Sequence, residues 1–229
     1  NKEISKINSV SNGYLGPSFT DEFIKKEIDK HISKDYLVQK VGHNKVAKLI
    51  ADGDIVARFG EGKMEFGARA LGNRSIIADP RRPDVIHHIN KLVKMRDFWM
   101  PFAPSILDIY EKKYLKKNSK LNINYMTACV DPTEVGKKFL KAAIHPADST
   151  VRPQIVRSKD SNSYYKLIKE FSRISGVGAV LNTSLNMHEY PVVAKPFDIV
   201  NELIKKNNHI NFSILIENQL FIRKNYKPK

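Results

Sequence analysis

Apolar positions along the chain fall into short runs, and the runs alternate between a helical and an extended period. Over residues 163–175, Tyr164, Leu167, Ile168, Phe171 and Ile174 recur every three or four positions, which predicts an amphipathic helix ended by Gly176. Asn44 is the expected cap of a second helix, with Val46, Ala47, Leu49 and Ile50 facing a core and Gly53 as its stop. Pro83 and Asp84 open a third, whose buried stripe is Ile86, Ile89, Leu92 and Val93. Thr20 or Asp21 starts another, running to about His31 with Phe23, Ile28 and Ile32 as its apolar contacts. A helix over 133–140 and a final one from Pro196 through Ile199, Val200, Leu203 and Ile204 complete the set. Strand-like runs lie at 36–41, 54–59, 75–78, 102–107, 124–130, 177–181, 213–216 and 219–223, the last two forming a hairpin around Glu217 and Asn218. Residues 182–186 read as a loop after a strand. Interleaved strands and helices predict an α/β fold with a twisted mixed sheet flanked by helices, in a single domain. Residues 1–17, polar and carrying Gly13, Gly16 and Pro17, read as a linker or lead-in, and the domain spans 18–229.

Composition narrows this picture. A chain of 229 residues with 41% hydrophobic and 28% charged residues is globular, not disordered. No run approaches the roughly 20 apolar residues that a membrane-spanning helix needs, so no membrane role is expected. The lone cysteine, Cys129, excludes an internal disulfide and fits a reducing, cytoplasmic setting. Within YMTACV it is expected to be a packed strand residue. A net charge of +15 points to an anionic partner. Much of the excess sits in lysine-rich polar runs at 111–120 and 224–229, so only a smaller share is expected in one pocket.

The candidate chemistry concentrates at 60–107. Gly60, Gly62, Gly67 and Gly72 punctuate a loop that also carries Arg69, Asn73, Arg74 and Ser75, all donors suited to phosphate or carboxylate oxygens. A helix-like run with Lys91, Lys94 and Arg96 follows, and Lys91 and Lys94, three apart, are expected on neighbouring faces. Such a cluster suits a small, highly charged anion. His87 and His88, adjacent on a helix, diverge by about 100° and are poor joint metal ligands, so no metal site is assigned to them.

Four stretches in order, MEFGARALGNRSIIADPR, INKLVKMRDFWMPFAPSIL, ADSTVRPQIV and LNTSLNMHEYPVV, closely resemble the C-terminal region of the O-carbamoyltransferases of the nodulation and antibiotic-tailoring type. The resemblance covers about residues 15–223. It implies a YrdC-like domain that binds ATP, with Mg²⁺ on the nucleotide, and carbamoyl phosphate, forming carbamoyl adenylate. An actin-like, metal-binding N-terminal domain, on the same chain or separate, would transfer the carbamoyl group to a hydroxyl acceptor. No HxxxH motif with an acidic partner is present, so that domain's metal site is expected to be absent here. Carried onto this chain, the resemblance makes Arg69, Lys94 and Arg152 the catalytic cations, converging on one anion site. Arg74, Arg96, Met126, Asn182, Ser184 and Asn186 become the substrate and ATP contacts, with Met126 near the adenine. His145 and Asp148 would orient donors in the loop before Arg152, and His188 would reach the same pocket.

The chain departs from the family pattern at Lys63 and Ala68, where arginine and proline are usual, at Met100 before PFAP, where arginine is common, and at Glu189 and Tyr190. The pocket edge is therefore less certain than its centre, and Arg96 is the expected substitute for the missing cation. The rival readings are a YrdC-like RNA-binding module, disfavoured because aromatics and cations do not alternate, and a non-catalytic partner domain. The acceptor is not readable from the sequence, and a homodimer is left open.

Overall fold

The strand-like runs assemble into one eight-stranded sheet in the computed structural model, which describes residues 12–31, 36–94, 100–116, 121–199 and 213–224. Its strands are β1 (Tyr36–Lys40), β2 (Val56–Phe59), β3 (Arg74–Ala78), β4 (Ala103–Leu107), β5 (Gln154–Val156), β6 (Ala179–Ser184), β7 (Ser213–Ile216) and β8 (Gln219–Arg223). They lie in the order β1-β8-β7-β2-β3-β6-β4-β5. The pairs β2–β7 and β4–β5 are parallel and the others antiparallel, so the sheet is mixed, as expected. β2, β3 and β4 are buried along their whole length, which suits central strands covered on both faces.

The helices are α1 (Asp21–His31), α2 (His43–Asp52), α3 (Asp84–Ile89), α4 (Glu111–Tyr114), α5 (Glu134–Phe139), α6 (Asn162–Ser175) and α7 (Pro196–Asp198). α2 and α6 pack on each other. The first contributes Val46, Ala47, Leu49 and Ile50 to the core, the second Tyr164, Leu167, Ile168 and Phe171. Left-handed Gly53 and Gly176 end these two helices, as the sequence predicts. Ile174, at the end of the same stripe, stays 39% exposed because the last turn of α6 runs past the packed surface. In α1 the buried positions are Ile24 and Ile28, while Phe23 faces outward against Phe19. Asn44 caps nothing: Gly42 precedes the helix and Asn44 lies in its first turn. Ile32 and the helical run expected beyond Ile199 fall outside the described residues.

Three expectations change more. Residues 124–130 form no strand. Asn122 Oδ1 accepts the Asn124 N–H, the Thr127 hydroxyl donates to the Asn122 carbonyl, and Met126 adopts a left-handed φ of 57°. These local bonds compete with a ladder, and only Val130 bridges, to Val151. Cys129 is accordingly exposed, not packed. The loop expected at 182–186 is mostly strand: Asn182, Thr183 and Ser184 belong to β6, held between β3 and β4. The helix of α3 continues into a π-type turn over Asn90–Lys94. Its wider winding breaks the three-residue register, so Lys91 is exposed while Lys94 is buried.

Residues 12–17 are not a free linker. Gly16 and Phe66 donate backbone N–H bonds to Met64 and Gly13, and Met64 donates to Pro17, so this segment lies as a strap along the glycine loop. The Tyr14 hydroxyl donates to the Leu71 carbonyl at 2.7 Å, and burial pushes its phenol pKa up. Tyr14→Phe should cost about 1 kcal/mol, the net worth of one such bond. For a chain of this size that lowers the melting temperature by roughly 2–4 °C. An unchanged melting temperature would mean the strap is not part of the fold.

Candidate functional site

The loop between β2 and β3 is built around a carboxylate that the sequence reading passed over. Glu65 is 5% exposed, and its Oε1 accepts backbone N–H bonds from Leu71 (2.7 Å), Asn73 (2.6 Å) and Arg74 (3.1 Å). Asn73 Nδ2 donates to the Glu61 and Lys63 carbonyls, and its Oδ1 accepts from Arg58. Arg58, fully buried, donates also to the Gly72 carbonyl and to Ser163 Oγ, with its guanidinium over the Tyr164 ring. At Gly72 the backbone has φ 122°, and a Cβ would sit 2.3 Å from that ring, so only glycine fits between loop and helix.

Arg74, Asn73 and Ser75 therefore do not reach a ligand. The Arg74 side chain is wholly buried, lies over the Phe59 ring and donates to the Asn73 and Gly60 carbonyls. Burial pulls its pKa down to about 10. Its Nε and Nη2 find no hydrogen-bond partner among the described residues. Ser75 is buried within β3. The cation burst expected to face an anion is thus divided, with Arg58 and Arg74 packed beneath the loop and Arg69 exposed on it.

Arg69 does face a cleft. The start of β4, the residues before β5 and the end of β6 meet at one edge of the sheet, and the 68–70 segment closes over them. The cleft encloses about 380 Å³, counting the solvent at its mouth. Arg69, Arg152 and Ser184 supply its polar groups, and Pro101, Phe102, Ala103 and Met126 its apolar ones. Asn182 and Thr183 line it too. The Asn182 side chain, however, is 1% exposed, and its Nδ2 is spent on the Ala70 carbonyl and Ser105 Oγ. It is part of the floor and not a free donor. Two guanidiniums, a hydroxyl and an apolar wall suit a ligand with an anionic end and a flat apolar end. No carboxylate is among the lining residues.

Lys94 does not line the cleft. Its side chain is buried, and Nζ donates to Ser184 Oγ and the Asn186 carbonyl (both 3.0 Å), as well as to Asn186 Oδ1 and the Ser184 carbonyl. Ser184 Oγ in turn bonds Asn186 Oδ1. The expected point charge on a phosphate is instead one residue removed, setting the shape and field of the segment that carries Ser184. Asn186, whose Nδ2 donates to the Tyr190 carbonyl, belongs to this support. Arg69 and Arg152 thus line one cleft, and Lys94, expected beside them, reaches it only through Ser184.

The remaining candidates fall elsewhere. His145 and Asp148 close an exposed turn on themselves, with Nδ1 3.4 Å from the carboxylate. His188 lies beside Glu189 and is not among the residues that line this cleft. Met100 is 44% exposed at the cleft's approach, and Arg96 falls outside the described residues. His87 and His88 are surface residues, as predicted. Among the described residues no group of three or more His, Cys, Asp or Glu could hold a metal, and no helix is long and apolar enough to cross a membrane.

Comparison with known proteins fits this arrangement. The family described as carbamoyltransferase C-terminus matches residues 47–224. An uncharacterised protein of Methanocaldococcus jannaschii is 38% identical over 97% of this chain and 36% of its own length. The nodulation protein NolNO of Sinorhizobium fredii is 36% identical over 70% of this chain and 24% of its own. The 3'-hydroxymethylcephem-O-carbamoyltransferase of Amycolatopsis lactamdurans is 29% identical over 69% and 29%. This chain spans about a third of the length of the first curated relatives it matches. Full-length HypF, in its phosphate- and nucleotide-bound form, superposes with a TM-score of 0.53 at 16% identity, over 85% of this chain and 23% of that one. That likeness concerns the fold, which is the expected YrdC-like mixed sheet.

Proposed function

This chain belongs to the carbamoyltransferase C-terminus family, and from that premise we propose that its cleft binds carbamoyl phosphate and ATP and forms carbamoyl adenylate. The observation that carries the reading is the meeting of Arg69 and Arg152, from motifs far apart in sequence, with Ser184 at one sheet edge. Two anions must be brought together, so the site needs cations that are fixed before the ligands arrive.

Arg69 and Arg152 hold phosphate oxygens through paired N–H groups. Ser184, held by the buried Lys94 ammonium, would turn its O–H from Asn186 Oδ1 to donate to the same charge. Pro101, Phe102 and Met126 give an apolar wall against which a purine ring stacks and from which water is excluded. Since no lining residue is acidic, Mg²⁺ would enter on the nucleotide's phosphates and not on protein ligands. In balance, carbamoyl phosphate, water and ATP give carbamoyl adenylate, pyrophosphate and phosphate. Transfer of the carbamoyl group to a hydroxyl then falls to the remainder of a full-length enzyme, an actin-like domain.

Calorimetry with MgATP and carbamoyl phosphate, separately and together, tests this. We expect heat from each and pyrophosphate release when both are present. A folded sample that binds neither would overturn the reading.

A further inference from the structure

Beneath Arg69, one face of the sheet carries three polar side chains where a core would ordinarily be apolar. Gln154 on β5, Ser105 on β4 and Asn182 on β6 are 4%, 0% and 1% exposed. Ser105 pairs with Gln154 in register, and Asn182 sits two residues from Val180, the partner of Ser105, so the three share a face across adjacent strands. Buried polar groups persist where they are hydrogen-bonded to a purpose.

Their bonds run in one direction. Ser105 Oγ donates to Gln154 Oε1 at 2.7 Å, and Asn182 Nδ2 donates to Ser105 Oγ at 3.0 Å. That leaves Gln154 Nε2 to donate to the Leu71 carbonyl at 2.6 Å, and Asn182 Nδ2 to the Ala70 carbonyl at 3.1 Å. A carbonyl can only accept, so the Gln154 amide cannot be turned over. From the other side, Glu65 Oε1 accepts the Leu71 N–H, and the Tyr14 hydroxyl donates to the Leu71 carbonyl. The two residues that follow Arg69 are therefore held at every backbone polar group named here, while Arg69 itself stays exposed at the cleft. The loop tip around them is free to adopt glycine geometry, since Gly67 has φ 101° and open space around it.

We propose that Gln154, oriented by Ser105, is a positioning residue that fixes the Arg69 turn over the cleft. It rests on the reading of Arg69 as an anion-binding residue but touches no ligand itself. The strand that supplies Gln154 follows directly from Arg152, so one short stretch supplies a cleft cation and also anchors the other. An arginine on an otherwise glycine-rich loop would sample many positions, and misplacement of a binding group by about 1 Å can cost on the order of a hundredfold.

The test combines hydrogen exchange with a mutant cycle on the whole chain. Gln154→Met keeps length and removes its bonds to Leu71, Ser105 and Asn182, and Ser105→Ala is a milder second variant that removes the orienting hydroxyl but leaves the bond to Leu71. Peptides covering 66–73 should exchange faster in both variants, while those covering α6 should not change. Carbamoyl phosphate affinity, read by calorimetry, should fall by roughly tenfold in Gln154→Met and by nothing further when Arg69→Ala is already present. Unchanged exchange at 66–73, or an equal loss of affinity in the presence and absence of Arg69, would overturn the proposal. If Arg69→Ala alone binds like the parent, the reading of the cleft fails, and the exchange result still decides whether Gln154 holds the turn.

Discussion

Replacing Arg69 or Arg152 by alanine is expected to weaken carbamoyl phosphate binding, or pyrophosphate release with MgATP, by ten- to a hundredfold. Each guanidinium faces the cleft and would make charge-assisted hydrogen bonds to a phosphate. Bonds to charged groups are worth about 1.5–3 kcal/mol each, and about 1.4 kcal/mol is a factor of ten in affinity. Neither side chain is buried like Arg58 or Arg74, so the melting temperature should hardly move. Arg69→Lys should rescue little, because an ammonium cannot reproduce the planar fork. Lys116→Ala, at a side chain 60% exposed and paired loosely with Asp131, is the control and should change nothing. Parent-like binding by both arginine variants would remove the cleft from consideration.

The periodic parts of the fold were legible because burial imposes the period. The stripe of α6 and the glycines ending α2 and α6 needed only local information. Residues 124–130 failed for a local reason too: the Asn122 and Thr127 side chains satisfied backbone groups before a neighbouring strand could. Ser184 lines the cleft from a strand and not from the expected loop, since β6 extends further than its apolar run. Of the polar residues that prolong it, Asn182 donates across the sheet to Ser105 Oγ, and Ser184 bonds Lys94 and Asn186.

What the sequence could not show was which cations face outward. Arg58, Arg69, Arg74 and Arg152 are alike as letters, and only the packing divides them between core and cleft. The signals that were present lay in polar residues placed where apolar ones belong. Ser105 within PFAPSIL and Gln154 opening the run QIV each place a polar side chain in a wholly buried, otherwise apolar strand. Glu65, between Met64 and Phe66 and separated by Gly67 and Gly72 from the strand it supports, carried the same message. A buried polar side chain requires partners: those of Glu65 and Gln154 include backbone groups of the loop that bears Arg69, and Ser105 bonds Gln154 in turn.

Glu65→Ala should therefore be the most damaging single change in the domain. The carboxylate accepts three backbone N–H bonds from the returning arm of the loop, and its loss leaves all three donors to be satisfied anew. Its charge is also felt by both buried guanidiniums, opposing the burial that lowers the pKa of Arg58 and of Arg74. Removing it leaves two buried cations less compensated, a class of change that costs about 3–5 kcal/mol. At roughly 2–4 °C per kcal/mol the melting temperature should fall by on the order of 10 °C. Glu65→Gln separates shape from charge. It fills the same space and keeps the Oε1 acceptor that takes all three N–H bonds, with its NH₂ where Oε2 has no partner among the described residues, so it should retain the loop bonds and lose only the charge. Because Leu71 is bonded to this carboxylate on one side and to Gln154 on the other, ligand binding should fall with stability in both variants, unlike Arg69→Ala, which should lose binding alone. A Glu65→Ala protein that melts within 2 °C of the parent, a margin below the roughly 1 kcal/mol assigned to a single bond, would show that the loop is held by something other than this carboxylate.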